Sequence, residues 1–525
     1  MKKLVKLFAV LAIVFSGITG LLGLGEQSEA AGLDEVKVTI HKKKVVDNYP
    51  SHQNTGEIDD HWAEIPGLGG VTFEAFEVTD QYYDYLESFE LSNPDMSFKE
   101  LQKLVVEQIQ ADAKNRRNGD FAYATSNGEG VTSDVDGTVE FDNLPDKAGS
   151  ENKDAVYVFV ETASIHPTVK AEEPMVVALP IFKVNDDGDK ERNRDLHIYP
   201  KNETSEGIGE KEVVDTSGTV ITAEDYGTVD IGDTIDYKIT IPLTDLMQTL
   251  QIRDTPTKGL EYVDNTAAID GLGSFTLNLD SQGGFTVVLS ETDLNDLRDA
   301  GKDSIELTYQ MIVTEEALPD ELLTNDAEVS LDNGNTWVPT DKPEDPEKPS
   351  EYFTGGKKFI KKDPNLSKPL VGAEFVVVKG DNSSGTVVPT HYLTRDDDGK
   401  VVWVAISDQD PDTWTDAVKL TSNAQGNFEV TGLMYSEGLE LDETYALVET
   451  KAPAGYVVLD EPFAFDIVKD GYNDPSNISD VENIPSGYLP ETGGKGIYLF
   501  LLIGAALMGG AVIWYKRSRK HSAQV

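Results

Sequence analysis

The chain has 525 residues, with 44 basic against 94 acidic side chains, a net charge of −50 and no cysteine. At ~150 residues per domain that length makes about three domains. Such a charge excludes nucleic acid, whose phosphates need a basic partner, and the missing cysteine excludes disulfides, thiolate metal sites and thiol nucleophiles.

The first 30 residues read as a secretory signal. Lys2, Lys3 and Lys6 precede the apolar run "LFAVLAIVF", and Ser28-Glu29-Ala30 places small residues where a signal peptidase cleaves, after Ala30. The body that follows is predicted to be all-β. "VKVTI", "YVFVE", "IDYKITI", "IELTYQMIV" and "EFVVV" alternate or run apolar and are separated by turn residues, the pattern of tandem β-sandwiches. One helix is predicted over 97–113, opened by a Ser97–Glu100 capping box. The proline-rich stretch 338–352 marks a linker, set at 341–351, and a second boundary follows "YPKN". The blocks are therefore 33–203, 204–340 and 352–487. Last come "LPETGG" and 20 apolar residues, 496–515, which predict a membrane-spanning helix, followed by the basic tail "KRSRKH".

The first and third blocks repeat one another. "LGGVTF" (68–73) matches "LVGAEF" (370–375), and "YVFVET" (157–162) matches "YALVET" (445–450). The strands before them, "VTIHKKK" and "KFIKKD", both carry lysine. The shared order implies two copies of one domain, the first enlarged by an insertion that holds the helix.

"FIKKD…LVGAEF…YALVETKAPAGY…VENIPSG" resembles a Cna B-type immunoglobulin-like domain. The middle block resembles a Cna A-type domain, "YPKN" resembles a pilin motif, and "LPETGG" with its tail resembles a sortase sorting signal. Together they resemble the major shaft subunit of a sortase-assembled Gram-positive pilus. The resemblance implies a structural protein without cofactors or metal. Its partners would be a sortase, identical subunits, peptidoglycan and, in some pili, tip and base pilins.

Two reactions are implied. A sortase reads Leu489, Pro490, Glu491, Thr492 and Gly493, attacks the Thr492 carbonyl, and passes it to the Lys201 amine of another subunit. Within each domain a lysine and an asparagine form an amide, assisted by an acid. The carried-over sets are Lys42, Glu161 and Asn202; Lys211, Asp236 and Asn325; and Lys361, Glu449 and Asn483. The competing reading is a monomeric wall-anchored adhesin, which needs Thr492 and not Lys201.

Strand parity is an independent check, because alternate side chains share a face. Lys42 extends the face of Val36, Val38 and Ile40. Lys361 shares parity with Phe359, Glu161 with Tyr157 and Phe159, Glu449 with Tyr445 and Leu447, and Asn325 with Leu323, Ala327 and Val329. Unpaired charge on a core face is expensive, and an amide removes it. If the "DLHIYPKN" strand continues through Pro200, Asn202 faces inward with Leu196 and Ile198, while Lys201 faces solvent with His197 and Tyr199. Asp236 fails the test: Ile235, Tyr237, Ile239 and Ile241 form the apolar face, and Asp236 opposes it.

Overall fold

The computed structural model describes residues 35–45, 52–185, 187–205, 207–214, 227–340, 352–487 and 496–521. The signal segment, the linker 341–351 and the LPETG residues Leu489–Gly493 lie outside them. The chain divides into two compact units, Met1–Thr354 and Gly355–Val525.

The first unit begins with a sandwich of two sheets. One is built from β1 (Glu35–His41), with the later strands β4 (Thr138–Pro145) and β7 (Asp195–Ile198) on either side of it. The other orders β6 (Met175–Ala178), β5 (Val156–Ser164), β2 (Val71–Glu77) and β3 (Thr125–Val131). Val36, Val38 and Ile40 pack against Phe73, Tyr157 and Phe159 between the sheets. The opposite face of β5 is covered by helices α1 (Thr79–Ser92) and α2 (Phe98–Lys114). Val156, Val158 and Val160 pack there on Tyr82, Val105 and Ile109. With both faces covered, β5 reads as an almost unbroken apolar run. The Ser97–Glu100 capping box opens α2, and α1, which was not predicted, pairs with it across a short turn.

The second sandwich carries β9 (Glu210–Val214), β10 (Thr234–Pro242) and β13 (Ser304–Val313) on one sheet. On the other lie β11 (Leu250–Pro256), β12 (Phe285–Leu289) and β14 (Asn325–Ser330). Ile235, Tyr237, Ile239 and Ile241 meet Leu250, Ile252, Phe285 and Val329 in its core. A short capped helix, α3 (Glu291–Asp299), enters without having been predicted.

The second unit holds a three-stranded sheet of β17 (Asn427–Leu433), β15 (Gly355–Lys362) and β19 (Ser479–Glu482). It also holds a six-stranded sheet around β16 (Glu374–Asp381) and β18 (Glu443–Lys451). A terminal helix, α4, covers Gly496–His521. Among the described residues no helix is long and apolar enough to cross a membrane.

Candidate cross-linking sites

In the first sandwich two chain segments leave the same sheet side by side. The ladder of β1 stops at Lys42, and the ladder of β7 stops before Tyr199–Pro200, where proline has no N–H to donate. Both resume in a second small sheet, in which β8 (Lys201–Thr204) pairs with Lys43–Val45. The strand expected to run on through Pro200 is therefore broken there, and Tyr199 turns inward to stack on His41 and Trp62.

At this crossing Lys42 and Asn202 are each 0 % exposed. The Lys42 Nζ donates to Asn202 Oδ1 at 2.6 Å and to Glu161 Oε2 at 2.8 Å. Asn202 Nδ2 donates to Glu161 Oε1 at 2.5 Å. One carboxylate thus touches both an amine and the nitrogen of the amide facing it. The backbone N–H of Glu172 donates to Asn202 Oδ1 at 3.0 Å, on the oxygen where charge would develop. Lys201, one residue before Asn202, points the other way. Its side chain is 19 % exposed and its Nζ lies 3.8 Å from Glu172 Oε2.

The third sandwich builds the same cluster. Lys361 and Asn483 are buried, and the Lys361 Nζ donates to Asn483 Oδ1. Asn483 Nδ2 donates to both Glu449 oxygens at 2.9 Å, and Glu449 Oε1 lies 3.4 Å from the amine. Burial holds the Lys361 amine below its ordinary range, against the opposing pull of Glu449.

The middle sandwich differs. Lys211 pairs with Ile239, so it faces the core from the first sheet. Its partner is Asp254, at 2.6 Å, which projects from the facing sheet and is 0 % exposed. Tyr309 donates its hydroxyl to the same Asp254 oxygen, and Asn325 Nδ2 donates to the Tyr309 hydroxyl at 3.3 Å. Asp254 Oδ1 and Asn325 Oδ1 are buried without a hydrogen-bond partner. Desolvation pushes the Lys211 amine down. Asp236 is not part of this cluster. It sits beside Val214 and Gln310 in the sheet and accepts from Gln310 at 2.8 Å, because even-numbered residues of β10 face away from the core.

Residues 33–203 match the family model "Gram-positive pilin subunit D1, N-terminal domain", residues 355–480 match "Prealbumin-like fold domain", and residues 483–522 match "LPXTG cell wall anchor motif". The fimbrial subunit type 2 of Actinomyces naeslundii is 24 % identical across 92 % of this chain and 90 % of its own. The fimbrial subunit type 1 of Actinomyces viscosus is 24 % identical across 93 % and 91 %.

Together these matches support a sortase-assembled Gram-positive pilin.

This pilin is a structural subunit of a surface pilus, processed by sortase and held in the cell wall, and it is not an enzyme. Among solved structures it is similar to full-length RrgB of Streptococcus pneumoniae, with a TM-score of 0.47 and 16 % identity over 88 % of this chain and all of that one. It is also similar to SpaD of Corynebacterium diphtheriae, with a TM-score of 0.36 and 22 % identity over 88 % of this chain and all of that one.

Two features of the pilin's sites went unread in its sequence although signals for them are present. Leu250, Ile252 and Asp254 alternate with polar residues, which places Asp254 on an apolar face by the same parity that fails for Asp236. The repeat also extends to "GTVEF" (137–141) and "GNFEV" (426–430). Lys42 N donates to Gly137 O at 2.8 Å, and Lys361 N donates to Gly426 O at 2.7 Å. Both glycines have positive φ, and a Cβ on either would collide with the carbonyl oxygen of its lysine.

Proposed function

We propose that this pilin is the repeating shaft subunit of its pilus, joined head to tail by an amide between Thr492 of one copy and Lys201 of the next. Each of its three sandwiches would be closed by one internal lysine–asparagine amide. The observation that carries this reading is the opposite disposition of two neighbours. Asn202 is sealed beside Lys42 and Glu161, while the Lys201 side chain points away from that cluster and is partly exposed, beside Glu172.

The internal reaction follows from the contacts. Glu161 takes a proton from the Lys42 ammonium, and the freed amine attacks Cγ of Asn202. The Glu172 N–H supports the oxyanion. Glu161 then returns the proton to Nδ2, the C–Nδ2 bond breaks and ammonia leaves, while the second proton shed by the attacking nitrogen passes to Glu161, which ends protonated beside the new amide. Lys361, Glu449 and Asn483 do the same in the third sandwich, and Lys211 and Asn325 in the middle one, with Asp254 in the place expected for Asp236. A sortase would cleave after Thr492, whether the thioester is passed to Lys201 or to the wall precursor.

Lys201→Ala tests the reading. It is expected to abolish the high-molecular-mass ladder in cell-wall extracts while the monomer is still exported and anchored. An undiminished ladder refutes Lys201 as the acceptor.

A further inference from the structure

In the first and third sandwiches the glutamate touches the departing amide nitrogen itself. In the middle sandwich the shorter aspartate makes no hydrogen bond to Asn325, and Tyr309 stands between the two. From this difference we infer that Tyr309 is a catalytic residue of the middle-domain cross-link, carrying the proton from Asp254 to the leaving nitrogen of Asn325. The inference rests on the Lys211–Asn325 bond proposed above.

The hydrogen bonds form one continuous chain. Lys211 Nζ donates to Asp254 Oδ2, the Tyr309 hydroxyl donates to that same oxygen, and Asn325 Nδ2 donates to the Tyr309 oxygen. Tyr309 is 2 % exposed, so no bulk water is at hand to substitute for it. Its ring is fixed by edge-on packing against Phe285 at 4.9 Å and by stacking on Tyr237 at 5.6 Å. Burial, with Asp254 beside it, raises the phenol well above its ordinary range, so Tyr309 keeps its proton until it is replaced.

The step balances as follows. Asp254 Oδ2 takes a proton from the Lys211 ammonium, and the neutral amine attacks Cγ of Asn325. The amide nitrogen gains a lone pair as the carbon becomes tetrahedral. Protonated Oδ2 now donates to the Tyr309 oxygen, and the phenol turns its own proton to Nδ2. The Cγ–Nδ2 bond breaks and ammonia departs. The second proton lost by the attacking nitrogen returns to Asp254. Tyr309 ends as it began, and the net change is one new amide, one ammonia and a protonated Asp254.

Tyr309→Phe removes the hydroxyl and keeps the ring. The full exported chain is followed by pulse-chase, with the three cross-linked peptides quantified by mass spectrometry. The variant is expected to form the Lys211–Asn325 peptide about a hundredfold more slowly, the usual scale of a lost proton donor. Its Lys42–Asn202 and Lys361–Asn483 peptides should form at the parent's rate. Adding Asp254→Glu to Tyr309→Phe is expected to recover the middle peptide, because the longer acid reaches Nδ2 directly, as Glu161 and Glu449 do. A Tyr309→Phe chain that cross-links as fast as the parent overturns the relay alone. So does a slow variant that Asp254→Glu leaves slow, since the hydroxyl would then be structural. A parent lacking the Lys211–Asn325 peptide overturns the middle-domain bond and the relay together.

Discussion

The first and third sandwiches share a few short motifs and place their buried lysines within the same frame. Phe73 pairs with Glu161, and Phe375 pairs with Glu449, each just after a register shift in its strand. The two rings lie 5.4 and 5.3 Å from Lys42 and Lys361. The backbone of each lysine is bracketed the same way, by a glycine carbonyl on one side and the N–H of Leu68 or Leu370 on the other. What differs is the outer face of the glutamate strand. In the first sandwich α1 and α2 cover it, whereas in the third Trp414 and its neighbours pack on Val376, Val378, Ala446 and Val448. The glutamate's environment therefore needs that sheet covered on both sides, and does not depend on what covers it.

Removing a partner from the shared frame should have the largest effect. Lys361→Ala removes the amine of the proposed third-domain amide, which would close a loop spanning 122 positions, and is expected to lower that domain's stability by roughly 5 kcal/mol, the scale of a long cross-linked loop. Calorimetry of the exported chain reads this as one transition moving far below the others. A third-domain transition that stays in place would show the site to be an ordinary buried ion pair.

A sharper contrast separates the middle sandwich from its neighbours. Asp254→Asn should leave the mass of the exported chain heavier by one ammonia than the parent, with the Lys211–Asn325 peptide missing and the other two present. Asp236→Asn should match the parent in that peptide, because its side chain only meets Gln310. The reverse result would restore Asp236.

The smallest expected effect is a pH dependence. In Asn483→Ala the Lys361 amine stays free and buried, with its pKa held by desolvation below the unfolded value of 10.5. Between the folded and unfolded values the unfolded chain binds the extra proton, so third-domain stability should rise with pH through that window. The parent, whose nitrogen would be an uncharged amide, should lack this rise. Denaturant melts across that range read the difference, and equal slopes would argue against the amide.

Much of this was legible because strands enforce a two-residue period. Lys42, Glu161, Lys361 and Glu449 could each be placed on a core face from the neighbours two positions away. The Asp236 mismatch was visible by the same rule, and Asp254 was available to it as the third buried position of "LQIRDTP". Periodicity could not reveal where a strand stops. "DLHIYPKN" reads as one strand, and it breaks because the chain crosses between sheets together with Lys42, a tertiary event. The helix α1 was hidden for a related reason, since it lacks a side-chain N-cap and is held by what it packs on, whereas α3 carries a Ser290–Asp293 capping box that went unread.

If copies are joined as proposed, the adjacency of Lys201 and Asn202 would also set the path of force through a fibre. Tension arriving through the Lys201 side chain would enter the backbone there and travel on toward Thr492. Residues before 201, nearly the whole first sandwich, would hang beside that line as a passenger. Downstream, amides at 211–325 and 361–483 would shunt the pull past most of the other two domains. Only the runs 202–210, 326–360 and 484–491 would then carry the pull through backbone alone, so any lengthening of a thread many copies long would be confined to them.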